Sequence, residues 1–184
     1  MTRPPPPATL FQRLLAARFD ALPPSVRALH QGHGRRRYHG KVEVDRGRGV
    51  LACLCAWGAR LPRAGRGAIQ VDIDADESLE RWSRAFPGSV MRSRLWMRDR
   101  RLCERLGLAR LAFDLGVEEL PGTGNAIVWR VASVRVLGLP LPRHWFRGVV
   151  AREYERDRRY RFDVAATLPV VGLLVHYRGW LDVH

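Results

Sequence analysis

Between Arg159 and Leu181 apolar and polar side chains alternate with little interruption. Tyr160, Phe162, Val164 and Ala166 alternate with Arg159, Arg161, Asp163 and Ala165, the period of two of a half-buried strand. Beyond the bend Leu168-Pro-Val-Val-Gly172, Leu173, Val175, Tyr177 and Leu181 share one face, and Leu174, His176, Arg178 and Trp180 the other. A hairpin this apolar needs a sheet to join. The same pattern predicts strands at 38–45, 69–75, 79–86, 90–98, 101–106, 110–118, 126–137, 148–156, 159–167 and 172–181. Asp76-Glu77, Pro87-Gly88, Asp99-Arg100, Gly107, Pro121-Gly122 and Asp157-Arg158 divide them. Connections this short join antiparallel neighbours. The expected fold is mainly β (α+β): a curled antiparallel meander of about ten strands, open or closed and barrel-like, with two or three short helices at its N-terminal side.

The period changes at the front of the chain. Thr9 is placed to cap a helix over 10–22, ended by Pro23-Pro24, and Ser25 to cap a second from Val26 to His30, stopped by Gly32. This front piece, 8–31, covers one side or end of the sheet, and its helices are expected to lie over the outer face of the closing hairpin. The sheet occupies 35–184, and 8–184 forms a single domain. Residues 1–7 form a Pro-rich tail expected to be disordered. The segment 49–61 carries no charge from Gly49 to Ala59 and is bracketed by Arg46, Arg48, Arg60 and Arg63. It reads as a helix across a barrel mouth or sheet end. Two uses stay open for it, closing a core or resting on an anionic membrane surface. The phrases 134–142 and 164–172 each run a strand into an apolar, proline-containing bend.

Charge adds a question. The 184 residues hold 32 basic against 18 acidic side chains, a formal net charge of +14. Contact with an anionic partner is one account. The other is the arginine bias of a GC-rich genome, since Lys41 is the only lysine and the arginines are spread along the chain. Cys53, Cys55 and Cys103 have no disulfide spacing, which suits a reducing compartment. No secretory signal or apolar run of membrane-spanning length is present. The expected location is cytoplasmic, soluble or peripheral to the inner membrane face.

Several phrases together resemble a bacterial family, domain of unknown function 4166. They are Leu22-Pro-Pro-Ser-Val-Arg-Ala-Leu-His30, Arg81-Trp82, Ser93-Arg94, Leu137-Gly-Leu-Pro-Leu-Pro142, Arg159-Tyr-Arg-Phe-Asp163 and Gly172-Leu-Leu-Val-His-Tyr-Arg-Gly-Trp180. The resemblance covers about residues 10–181. It implies a stand-alone domain or a C-terminal partner of an NAD(P)-binding oxidoreductase-like domain, and it supplies no activity and no catalytic residue.

The chemistry-bearing residues support few motifs. His30, His33 and His39 surround a glycine-rich turn, but the His-x-x-His pair lacks the second half of a zinc site. His30 and His33 are kept as polar turn residues, and no metal, cofactor or catalytic residue is expected. Cys53-x-Cys55 reads as packing. In 79–86, Glu80, Trp82, Arg84 and Phe86 share a face. In 90–98, Arg92, Arg94, Trp96 and Arg98 share one face and Met91, Ser93, Leu95 and Met97 the other. Either face of 90–98 can be the inner one. Nucleic acid is the less supported partner, since no module motif accompanies the arginines and aromatics. The leading reading is a non-enzymatic binding module for an apolar or lipid-like ligand, neutral or anionic, with Trp82, Arg94, Trp96, Tyr177 and Trp180 as pocket residues. Tyr177 and Trp180 lie on opposite sides of one strand, so both line the pocket only if the strand bulges at Gly179. The alternative is an accessory domain docking on an NAD(P)-dependent oxidoreductase-like partner. A third reading is an enzyme using His30 or His33.

Overall fold

Antiparallel hairpins following one another in chain order build a closed wall. The computed structural model describes residues 7–183. In it β1 (Gly34–Arg46), β2 (Gly65–Ala75), β3 (Leu79–Phe86), β4 (Ser89–Arg98), β5 (Arg101–Leu106), β6 (Ala109–Leu120) and β7 (Gly124–Val136) each pair with the next. β9 (Gly148–Arg156), β10 (Arg159–Leu168) and β11 (Gly172–Asp182) continue the ring, and β11 pairs with β1 from His39↔Asp182 to Arg46↔Val175. That seam closes a ten-stranded barrel. The remaining strand, β8 (Leu139–Leu141), pairs with β7 over Val134–Val136, while β9 takes β7 over Ile127–Arg130. The spacing did not predict β8, because a three-residue strand holding Pro140 carries no alternation. The Pro-rich tail expected over 1–7 lies outside the described residues except for Pro7.

Inward positions are fixed by register. Trp129, Ala151, Val164, Tyr177 and Val44 are successive cross-strand partners, as are Ile127, Glu153, Phe162, Gly179 and Val42. Partners in an antiparallel pair point to the same side, so these rows face the interior. No bulge interrupts β11 at Gly179; the irregularity is at Ala166/Thr167 on β10. Gly179 is small for another reason. A Cβ there would lie 2.2 Å from the Lys41 carbonyl oxygen and 2.6 Å from Cζ of Phe162, so the Phe162 ring occupies the space a side chain would take.

The front helices plug one end of the barrel instead of covering the outer face of the closing hairpin. In α1 (Leu10–Leu15) a capping box joins Thr9 and Gln12. Ala16, at φ 50°, ends the helix well short of residue 22, and a 3-10 turn follows over Ala16–Phe19. That break lets Phe19 and Leu22 enter the same core as Leu10, Phe11 and Leu15. α2 (Pro24–His30) starts two residues earlier than expected, with Pro23 in the cap position. Ser25 is therefore inside the helix, where its N–H donates to Glu155 Oε2 at 2.8 Å, so a barrel carboxylate does the capping. Phe11, Val26 and Leu29 are fully buried, each worth roughly 1.5–3 kcal/mol. Arg36, inward-facing on β1, ties the plug to the wall by donating to the Leu29 carbonyl at 2.6 Å. At the other end of the same strand Arg46 donates to the Pro62 carbonyl at 2.6 Å, holding the segment after α3 (Val50–Gly58).

Candidate functional site: the barrel interior

The inner rows do not fill the barrel. A cavity of about 530 Å³ remains, within the range of sites that hold small organic molecules. Its wall is graded along the axis. Toward α3 it is apolar, with Leu54, Leu141, Phe146, Leu168 and Val136; toward the helical plug it meets Trp82, Arg84, Glu104, Glu153, Tyr160 and Tyr177.

Most polar groups in that deep half are held by a neighbour. Arg84 lies with its guanidinium 4.6 Å from the Trp82 ring centre, a cation–π contact, and donates to Ser93 Oγ at 3.0 Å. Glu104 stands 3.7 Å from it, both side chains nearly buried. That distance gives charge pairing without a hydrogen bond, so Arg84 keeps donor capacity toward the cavity. Trp82 Nε1 donates to Glu80 Oε2 at 2.8 Å. Burial raises the Glu80 carboxyl above its ordinary range, and Glu153 pushes the same way, while His30, the Trp82 hydrogen bond and Arg36 act against it. Glu153 meets His30 Nε2 at 2.5 Å. Tyr160 is pushed well above the ordinary phenol range by burial first, then by the charge of Glu153 and a hydrogen bond to it. Tyr177 is pushed up to about 12 by burial, with Glu104 and Glu153 adding to the effect and Arg84 opposing it. Trp129 Nε1, in the wall, has no hydrogen-bond partner among the described residues.

The five pocket residues named from sequence separate. Trp82 and Tyr177 line the cavity. Arg94, Trp96 and Trp180 are on the outer wall. Register decides this. Trp82 pairs with Ser93, so Met91, Ser93 and Leu95 face inward and Arg94 pairs with Arg81 outside. Trp96 is outside with Arg110 over its ring at 5.6 Å, and Trp180 with Arg159 over its ring at 4.5 Å. Arg84, which the alternation tied to Trp82, is inside with it. Glu104, Glu153 and Tyr160 were missed as site residues; the spacing Tyr160/Phe162 marked the face, but nothing local marks Glu153 as inward.

The two turn histidines diverge. His30 is buried against Phe11, ring centres 3.7 Å apart, and meets the site through Glu153 and the Trp82 ring, whose centre is 6.0 Å away. His33 is at the surface with Nε2 2.7 Å from the Pro7 carbonyl oxygen. Cys53 and Cys55, expected in packing, are exposed on α3, and Cys103 is buried.

A family model described as a domain of unknown function, number 4166, matches residues 22–181, and the chain belongs to that family. No curated protein is significantly similar to the chain.

Proposed function

We propose that this member of the family is a binding module that holds one apolar or lipid-like molecule inside the barrel, polar end inward. The observation that carries the reading is the one-ended polarity of the cavity. An apolar wall toward α3 rewards burial of hydrocarbon at roughly 25 cal/mol per Å². The deep half offers Arg84 as a donor, with the Trp129 ring in the same wall. Glu104 pairs with Arg84 and Glu153 lines the same cavity, so little net positive charge is left for an anion. The head group that suits this setting is an uncharged acceptor, such as a hydroxyl or carbonyl, more than a free carboxylate.

The test is native mass spectrometry of the purified protein, before and after incubation with long-chain alcohols, ketones and fatty acids. Adduct masses that favour the uncharged probes are expected. Ala151, between Trp129 and Val164 on the inner wall, is the position at which to fill the space. Ala151→Phe should abolish the adducts while leaving the melting temperature unchanged or higher. A wild-type protein that carries nothing and takes up no probe would overturn the reading.

A further inference from the structure

The two ends of the barrel differ in chemistry. Connections at the helical-plug end carry Asp76, Glu77, Asp99 and Asp157 beside Arg100 and Arg158. At the α3 end the connections span 47–64, 87–88, 107–108, 137–147 and 169–171, and none contains an aspartate or glutamate. They carry Arg48, Arg60, Arg63, Arg143 and Arg147, all exposed.

The same end is where large apolar side chains meet solvent. Among the described residues every exposed large hydrophobic except Met97 belongs to it. α3 packs its small residues, Ala52 and Ala56, against the barrel and leaves Val50, Leu51, Leu54 and Trp57 exposed at the mouth, Trp57 being 78% exposed, with Leu54 and Trp57 at the rim of the cavity. This reverses the usual arrangement, in which a surface helix buries its large apolar stripe. The hairpin tips repeat it, with Leu108 between β5 and β6, Leu137 before β8, and Val170, 98% exposed, between β10 and β11.

The backbone enforces this exposure. The Gly47 N–H donates to the Leu174 carbonyl at 3.4 Å and the Leu108 N–H to the Gly58 carbonyl at 3.0 Å. A Cβ at Gly47 would lie 1.8 Å from the Leu173 carbonyl oxygen, and one at Gly107 2.4 Å from that of Gly58. β11 and β5 are half the ring apart, so α3 is a bar fixed across the mouth and cannot roll its large side chains inward.

We propose that the α3 end is a docking surface for an anionic lipid bilayer. Its apolar tips enter the boundary between head groups and acyl chains, and its arginines meet lipid phosphates. The tips stand on separate connections around a rim, ringed by arginine with no carboxylate among them, which matches a laterally continuous anionic and apolar phase. A nucleic acid would leave the apolar tips in water. Docked this way, the cavity mouth opens toward the bilayer; that last consequence rests on the interior being a binding site, whereas the docking does not.

The test is flotation of the full chain with vesicles of phosphatidylcholine alone or with about 30% phosphatidylglycerol, at low and high salt. The protein should float with the anionic vesicles only and be released by salt. Trp57→Glu/Val170→Glu and Arg60→Glu/Arg63→Glu should each lower partitioning at least about tenfold with unchanged melting temperatures, because all four side chains are exposed. Ala151→Phe should float like the wild type, which separates failure of docking from failure of the cavity reading. Three results would overturn the proposal. One is indifference to both kinds of vesicle. Another is flotation that survives Trp57→Glu/Val170→Glu but is lost in Arg81→Glu/Arg94→Glu on the outer wall. The third is a solution dimer that Trp57→Glu dissolves, which would make the end a protein-docking surface.

Discussion

Tyr177 shows how much a single side chain reports about the interior. Its hydroxyl is pushed up to about 12, with burial the largest cause, whereas a tyrosine in the unfolded chain ionises near 10. Between those values the unfolded state releases a proton that the folded state keeps, so folding stability falls as pH rises through the window and is fully present below it. Tyr177→Phe removes that dependence. Its unfolding free energy, measured in urea at steps from about pH 8 upward, should fall less steeply than the wild type's above about pH 10; parallel curves would mean the phenol is solvated. At this scale the sequence was legible only in pairs. It showed that Glu80, Trp82 and Arg84 share a face. It did not show whether Trp96 joins them, because both faces of β4 carry large apolar residues and only the pairing of Trp82 with Ser93 chooses between them.

Elements were more legible than directions. β3, β5 and β9 have the bounds their alternation predicts, and the others differ by a few residues at their ends. Failures came where a local rule was outvoted, as when Pro23 displaced Ser25 from the cap and positive φ at Ala16 broke the first helix. Assembly also creates a feature that no single element announces. Arg81, Arg94, Arg105, Arg110 and Arg135 are cross-strand partners in succession over five neighbouring strands of the outer wall. Like charges directly opposite each other destabilise a sheet. Arg105→Glu places a carboxylate between Arg94 and Arg110 and should stabilise the protein by about 0.5–1 kcal/mol at low salt, read as a shift in the urea midpoint. The gain should shrink in about 1 M salt, where the Debye length is only a few ångströms. A midpoint that does not move, or moves down, would show that the row is already neutralised.

At the scale of the whole molecule, short connections were enough to predict a curled, barrel-like antiparallel meander of about ten strands, and they left open whether it closes and whether a cavity survives packing. Closure depends on one ladder, β1 with β11, whose residues are far apart in the chain, and the cavity on the summed volumes of side chains from every strand. The molecule that results is polar at one end and apolar and cationic at the other, with a fixed helix across the second. The β1–β11 seam has a kinetic consequence. Every other wall ladder joins consecutive strands, β1 and β2 across α3 and the rest by short turns, or, for β7 and β9, near neighbours, and such contacts form early because less chain must be ordered to make them. The seam must wait for both ends of the sheet, from His39 to Asp182. Until it forms, the chain is an open sheet with two long unpaired edges, the kind that recruit strands from other chains. Refolding from urea should therefore show a slow last phase tied to the seam, and its yield should fall as protein concentration rises, while the folded barrel, having no free edge there, stays monodisperse at the same concentrations.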